Sequence, residues 1–330
     1  MKEKRLFKFG ILALSIVLIA CTGGSSEAGC PEIDGREINV VATTPMIGEF
    51  VSQVGGDNIN LTVLMPAEAD PHTYDPAPQD AGAIADADLV FYTGLKYEPA
   101  ALVKLLENSA CSAEVLAEVG ENVFPIEFKE GGHDEEGHDD HDEEGHDEHA
   151  GHDHGAYDPH FWFDPNRVAY AAEYIESKLV EFDPSNASEY EAAGKAYVTE
   201  LKGLVGQVSE LISTIPSQNR KLITTHESLG YLEAKFGLEV LSTIIPSIDS
   251  ANEISPSQLI GVIDVIEDNN VKVIFIESEA PSVYAETIVA ETGIKAVEGL
   301  WVETLKEGQS YPEFLLDALE LIVENLRNTD

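Results

Sequence analysis

Short apolar runs alternate along the first half of the chain with stretches whose apolar residues recur at helical spacing. The runs predict strands over residues 38–43, 60–64 and 88–93, and the intervening stretches predict helices over residues 45–54 and 79–87. Strands and helices in strict alternation are typical of a parallel sheet covered by helices. The first half therefore predicts an α/β lobe.

The same alternation returns in the second half of the chain. It predicts strands over residues 221–225, 239–243, 271–276 and 295–297, with helices over residues 229–236, 257–268 and 283–292. The chain therefore predicts an α/β fold of two lobes, each a parallel sheet flanked by helices.

A long helical stretch separates these two patterns. One amphipathic piece over residues 164–181 is broken at Asp183-Pro184, and residues 185–215 then continue without a proline. At 1.5 Å per residue the second piece would run roughly 45 Å, which suits a strut between two lobes. The alternative is a long surface helix of one lobe. We place the first lobe at residues 37–182, the linker helix at 183–216 and the second lobe at 217–330.

The N-terminus predicts export. A basic start is followed by an apolar run over residues 9–20, whose 12 residues are too few to span a bilayer but suit a signal peptide. The run ends in Leu-Ile-Ala-Cys, which resembles a bacterial lipobox. Residues 1–20 are therefore predicted to be a signal peptide, Cys21 the lipidated residue and residues 21–36 a tether. An ordinary signal peptide with an incidental cysteine is the alternative.

The net charge narrows the class of function, and the cysteine content predicts a disulfide. The formal net charge of -42 argues against nucleic-acid binding, which needs a basic face, and favours attraction of cations. Once Cys21 carries lipid, Cys30 and Cys111 are the two cysteines left. In an oxidising compartment they predict one disulfide, and two separate buried thiols are the alternative.

Residues 133–154 form a histidine-rich, acidic tract with eleven Asp or Glu and no Lys or Arg. Its seven histidines are His133, His138, His141, His146, His149, His152 and His154. With almost no apolar residues, residues 131–155 are predicted to be a disordered loop that binds several metal ions weakly. A purely solvating acidic loop would explain the carboxylates but not the histidines.

The three remaining histidines lie in distinct motifs. His72 belongs to Asp-Pro-His-Thr-Tyr, His160 to Asp-Pro-His-Phe-Trp-Phe-Asp-Pro, and His226 to Thr-Thr-His-Glu. His72 follows one predicted strand and His226 ends another. Because ligands of parallel α/β sheets bind beyond the carboxyl ends of strands, these positions predict a binding site.

Four stretches carry a family resemblance: PAEADPHTYDPAPQDAGAIADADLVFYTG, DPHFWFDP, THESLGYLEAKFG and VIFIESEAPS. With them the chain resembles the substrate-binding proteins of zinc/manganese ABC importers, from about residue 40 to residue 305. The resemblance implies two α/β lobes joined by a backbone helix and a metal held in the cleft by four residues, two from each lobe. It also implies an ABC importer permease with its ATPase as partners.

The resemblance implies a ligand set as well. His72 and His160 match the ligands of the first lobe and His226 matches the third ligand. Glu303 stands where the family has an Asp, so it is the predicted fourth ligand, with Glu277 and Glu279 as rivals. Histidine at the third position and the histidine-rich tract resemble the zinc branch. Three imidazoles and one carboxylate also suit Zn²⁺, whereas Mn²⁺ prefers more oxygen ligands.

These observations predict a monomeric protein, lipid-anchored outside the cytoplasmic membrane, that captures zinc and delivers it to an importer. It would bind and release metal without catalysing a reaction. The alternatives are a manganese- or iron-binding importer component and a metal-binding adhesin. A zinc hydrolase has little support, because the sequence has no His-Glu-x-x-His, Gly-x-Ser-x-Gly or phosphate-binding loop.

Overall fold

The structure is a computed structural model that describes residues 30, 33, 35–128, 157–247, 253–280 and 282–327. The predicted signal peptide, Cys21 and the histidine-rich tract lie outside these residues. The predictions for these segments therefore stay predictions.

The first lobe is built on a parallel sheet of four strands in the order β2-β1-β3-β4. The strands are β1 Ile38–Ala42, β2 Ile59–Val63, β3 Leu89–Tyr92 and β4 Leu116–Glu118. The helices are α1 Pro45–Gly55, α2 Pro78–Ala85, α3 Ala100–Ser109 and α4 Pro165–Phe182. The sequence pattern predicted neither α3 nor the three-residue strand β4.

The second lobe repeats this topology, with parallel strands in the order β6-β5-β7-β8. The strands are β5 Lys221–Thr224, β6 Glu239–Thr243, β7 Val273–Glu277 and β8 Lys295–Leu300. The helices are α6 Gly230–Phe236, α7 Pro256–Asn269, α8 Ala285–Thr292 and α9 Tyr311–Arg327. The predicted fold class, two parallel sheets flanked by helices, is confirmed. The C-terminal helix α9 was not predicted.

Between the lobes runs the helix α5, Ala187–Ser213. It contacts α1 and α4 of the first lobe and α9 of the second, so it is more than a surface helix of one lobe. Its 27 residues span roughly 40 Å. The boundaries drawn at residues 182 and 216 remain a prediction.

A continuous apolar core lies behind the cleft. It extends from Ile38 in β1 through Leu201 in α5 to Leu319 in α9, and all three side chains are fully buried. Each sheet packs a smaller cluster on its other face, around Val90 in the first lobe and Ile274 in the second. The shared core fixes the helical back of the molecule, which leaves the opposite edges of the sheets to form the cleft.

A disulfide and a helix cap stabilise the first lobe. Cys30 and Cys111 form a disulfide that links the segment before β1 to the segment after α3. The Thr44 hydroxyl accepts a hydrogen bond from the main-chain N–H of Ile47 and caps α1. Among the described residues, every helix is too short or too polar to cross a membrane.

Candidate metal centre

The candidate site lies where loops from both lobes meet. His72 follows β2, His226 follows β5 and Glu303 follows β8, so each stands beyond the carboxyl end of a strand. His160 comes from the loop just before α4. The fold thus brings together the four residues that sequence analysis selected, two from each lobe.

Two Asp-Pro-His segments place the histidines of the first lobe in the same way. The Asp70 carboxylate accepts a hydrogen bond from the main-chain N–H of His72 at 3.0 Å, and Asp158 does the same for His160 at 2.8 Å. A carboxylate that bonds two residues ahead, with proline between, forms a tight turn. The repeated tripeptide is therefore a local device for directing an imidazole.

Carboxylates also hold the far side of two imidazole rings. Asp158 Oδ1 lies 2.8 Å from Nδ1 of His160, and Glu277 Oε2 is hydrogen-bonded to Nδ1 of His226. This leaves Nε2 of both rings directed into the cleft. Metal-binding histidines are commonly oriented by such carboxylates. Glu277, a predicted rival for the fourth ligand, here contacts the ring nitrogen that faces away from the other site residues.

Glu279, the second rival, supports the backbone around Glu303. Its Oε1 accepts hydrogen bonds from the main-chain N–H groups of Val302 and Glu303, both at 3.0 Å, and of Thr304 at 3.3 Å. Burial raises the pKa of the Glu279 carboxyl to about 8. One oxygen that accepts three N–H groups fixes the loop from which Glu303 projects.

The ligand-type atoms of the site are very close together. Oε1 of Glu303 lies 2.6 Å from Nε2 of His226, 3.1 Å from Nε2 of His160 and 3.5 Å from Nε2 of His72. One atom from each of the four residues falls within 4.8 Å of the others. Three nitrogens and one oxygen at this spacing are a donor set suited to a divalent transition metal.

Burial makes this cluster unusual. Glu303, His160 and His226 are fully buried, and the side chain of His72 is 5% exposed. Among the described residues, Nε2 of His72 has no hydrogen-bond partner. A buried nitrogen without a partner is costly unless it binds something that the protein itself does not supply, which a metal ion would do.

The charges of the site shift its pKa values in opposite directions. Burial alone would lower the pKa of His160, but the charge of Glu303 and the hydrogen bond to Asp158 raise it to about 9. The pKa of His226 is raised well above its usual value, because Glu277 and Glu303 outweigh burial. Burial alone would raise the pKa of Glu303, yet the three imidazoles hold it well below its usual range.

Aromatic side chains lie beside the site. Trp162 is fully buried, its ring centroid lies 5.5 Å from that of His160, and its indole N–H donates to the main-chain oxygen of Val302 at 2.8 Å, across the cleft. Tyr97, whose ring centroid lies 5.1 Å from that of His72, was not selected from the sequence. The position of Tyr97 five residues after β3 was the signal that could have identified it.

A left-handed turn places Tyr97. Gly94, Leu95 and Lys96 have φ angles of 75°, 53° and 62°. Non-glycine residues in this region cost on the order of 1 kcal/mol each, so such a turn persists only where its surroundings enforce it. A Cβ on Gly94 would lie 2.0 Å from Oε1 of Glu118, which itself accepts the main-chain N–H of Leu95 at 2.9 Å.

Comparison with known proteins identifies the class. The family described as zinc-uptake complex component A, periplasmic, matches residues 40–325, and the chain belongs to this family. The protein is thus a metal-binding component of an ABC importer and not an enzyme. This confirms the resemblance and the broad function that the sequence predicted.

Relatives with named cargo differ in the metal. The chain is 30% identical over 328 residues to the high-affinity zinc uptake system protein ZnuA of Bacillus subtilis, covering 96% of each chain. It is 29% identical over 332 residues to the manganese ABC transporter substrate-binding lipoprotein PsaA of Streptococcus anginosus, covering 98% of this chain and 99% of the relative.

The fold also matches a solved structure, the periplasmic zinc-binding protein TroA of Treponema pallidum. The TM-score is 0.74 at 22% sequence identity, covering 88% of this chain and 99% of that one. At this identity the match supports the two-lobe architecture.

Proposed function

We propose that this protein captures zinc outside the cytoplasmic membrane and delivers it to the permease of an ABC importer. His72, His160, His226 and Glu303 would hold the ion between the lobes. The observation that carries the proposal is the convergence of three imidazole nitrogens and one carboxylate oxygen within 4.8 Å of one another.

The donor set supports zinc. Zn²⁺ accepts four ligands of this kind in a tetrahedral arrangement, whereas Mn²⁺ prefers a larger share of oxygen. Asp158 and Glu277 support this proposal further. A carboxylate hydrogen-bonded to Nδ1 orients the imidazole ring and makes its Nε2 a stronger metal ligand.

The division of the ligands supports a binding-and-release mechanism. His72 and His160 belong to the first lobe, while His226 and Glu303 belong to the second, so an ion would join the lobes. Release then requires only that the lobes separate slightly, since a small displacement breaks two bonds at once. Contact with the permease across both lobes would supply that displacement.

Lipid attached to Cys21 would keep the protein beside its importer. This proposal rests on the basic start, the apolar run and the cysteine that follows it. A monomer suffices, because one chain supplies all four candidate ligands. The tract over residues 133–154 would act separately, concentrating several ions near the cleft through weak binding.

Manganese is the second candidate cargo. The names of several relatives favour it, among them PsaA of Streptococcus anginosus. The two candidates differ in a measurable way, because a site with three nitrogens and one oxygen should discriminate strongly against Mn²⁺.

The test is metal analysis of protein purified without added metal, followed by competition between zinc and manganese. We expect one tightly held zinc per chain and displacement of manganese by zinc. Retention of manganese against equimolar zinc would reject the zinc proposal, and the absence of any tight metal would reject the site.

A further inference from the structure

Tyr97 joins the two lobes through the side chain of Glu303. The Tyr97 hydroxyl lies 2.9 Å from Oε2 of Glu303 and 3.1 Å from its main-chain oxygen. Tyr97 follows β3 in the first lobe, and Glu303 follows β8 in the second. Tyr97 is 1% exposed and Glu303 fully buried, so the bond is shielded from water and correspondingly strong.

The loop that carries Tyr97 is held rigidly. Next to Tyr97, the buried Glu98 carboxylate accepts hydrogen bonds from the main-chain N–H groups of Thr93 at 2.6 Å and Gly94 at 2.9 Å. It also accepts the hydroxyl of Thr43 at 2.7 Å. These bonds, together with the left-handed turn before Tyr97, fix the position of the phenol. Strained backbone of this kind concentrates at functional sites.

The hydroxyl leaves a single carboxylate oxygen for metal. Oε2 of Glu303 is engaged by Tyr97, while Oε1 alone faces Nε2 of His72, His160 and His226. We propose that Tyr97 is a positioning residue that holds Glu303 in single-oxygen ligation and thereby favours zinc over manganese. Four-coordinate ligation by three nitrogens and one oxygen suits zinc, and a second carboxylate oxygen would suit manganese. This inference rests on the proposed function and adds the determinant of its selectivity.

The decisive variant is Tyr97→Phe. It removes the hydroxyl and keeps the ring that packs 5.1 Å from His72 and 5.3 Å from Trp162, measured between centroids. Freed of its partner, Oε2 can turn to the metal. We expect the ratio of zinc affinity to manganese affinity to fall by about tenfold or more, measured by competition with a chromophoric chelator. The absorption of bound Co²⁺ should also weaken, because its coordination number rises above four.

Tyr190→Phe is a matched control. The Tyr190 hydroxyl likewise donates to a carboxylate, Asp183 Oδ2 at 2.8 Å, and lies 3.4 Å from a main-chain oxygen, that of Asn58. The ring is buried in α5, away from the cleft. This variant should keep the zinc-to-manganese ratio of the unmodified protein, and an equal fall in both variants would overturn the inference.

Other outcomes separate the inference from the proposed function. If Tyr97→Phe binds zinc tightly with an unchanged ratio, the inference is wrong and the zinc site stands. If the unmodified protein binds no metal, the proposed function itself fails. Should Tyr97→Phe not fold, the Co²⁺ spectrum of the unmodified protein decides, because four-coordinate absorption supports single-oxygen ligation and five- or six-coordinate absorption contradicts it.

Discussion

At the scale of single residues, the site depends on pairs in which one side chain directs another. Asp158 orients His160, Glu277 orients His226, and Glu279 holds the loop of Glu303. These carboxylates are buried or nearly so, and their role follows from which atom they contact. Loss of a ligand and loss of an orienting carboxylate should therefore reduce metal affinity to different extents.

Glu303→Ala should weaken zinc binding more than Glu277→Ala or Glu279→Ala. Glu303 would be lost as a ligand, while loss of an orienting carboxylate typically costs about 10–100-fold in affinity. Isothermal titration against a competing chelator measures all three, with the exposed Glu320→Ala as control. A larger loss from Glu277→Ala or Glu279→Ala would contradict the assignment of the fourth ligand.

Zinc affinity should rise with pH through the neutral range. The pKa of His160 is about 9 in the metal-free protein, and the ring must be neutral to bind zinc, so protons compete with the ion below that pH. Binding at neutral pH should therefore release protons. Calorimetry in buffers of different ionisation enthalpy counts them, and an affinity that is flat from about pH 6 to pH 9 would show that no such competition exists.

At the scale of elements, sequence patterns predicted most strands and helices of both lobes but missed the helices α3 and α9, the short strand β4 and the turn before Tyr97. Strand β6 was predicted to the residue, and α5 within two residues at each end. Strand β4, with three residues, is too short to show a period. The left-handed turn at residues 94–96 has no sequence signal beyond Gly94, because contacts from Glu98 and Glu118 impose it.

His72 and His160 could be selected from sequence because their motifs are local, whereas Glu303 was assigned through the family resemblance. The Asp-Pro-His turns place His72 and His160 through bonds two residues away. The contact of Tyr97 with Glu303 joins residues 206 positions apart and exists only through the packing of the lobes. Local chemistry was therefore predictable, and the contact across the cleft was not.

Deleting residues 131–155 should keep one tight zinc and remove the weaker additional equivalents. The candidate site draws on residues outside this tract, while the tract offers many ligands without a rigid scaffold. Zinc titration with equilibrium dialysis compares the two proteins. Loss of the tight equivalent on deletion would show that the tract completes the site.

Protein that begins after Cys21 should contain no free thiol when denatured without reductant. Cys30 and Cys111 are its remaining cysteines, and they are bonded to each other in the structure. Reaction with a thiol reagent, before and after reduction, measures zero and then two thiols. Reduction should also lower the free energy of unfolding by roughly 2–5 kcal/mol, since the bond closes a loop of 81 residues.

At the scale of the whole molecule, the shared core behind the cleft and the split ligand set work together. The back of both lobes packs on α5, while the loops at the opposite edges carry the candidate ligands. A metal ion at those edges would complete the contact between lobes. Binding should therefore stabilise the molecule as a unit.

Saturating zinc should raise the melting temperature by roughly 4 °C. A ligand present at 100 times its dissociation constant adds about 2.7 kcal/mol to the stability of the folded state, and 1 kcal/mol shifts the melting temperature of a domain of about 300 residues by about 1.5 °C. Differential scanning calorimetry checks this. Glu303→Ala should show a much smaller shift, and an undiminished shift in that variant would mean that zinc stabilises the protein from elsewhere.

The bond from the Trp162 indole to Val302 has a practical consequence. Trp162 and Trp301 are the two tryptophans of the chain, and the indole of Trp162 bonds to Val302, which belongs to the second lobe. Separation of the lobes would break that bond and admit water to an indole that is now fully buried. The fluorescence emission of Trp162 would then shift to longer wavelength, so intrinsic tryptophan fluorescence would report the separation of the lobes. Stopped-flow fluorescence on the unlabelled chain can thus follow capture and release in real time.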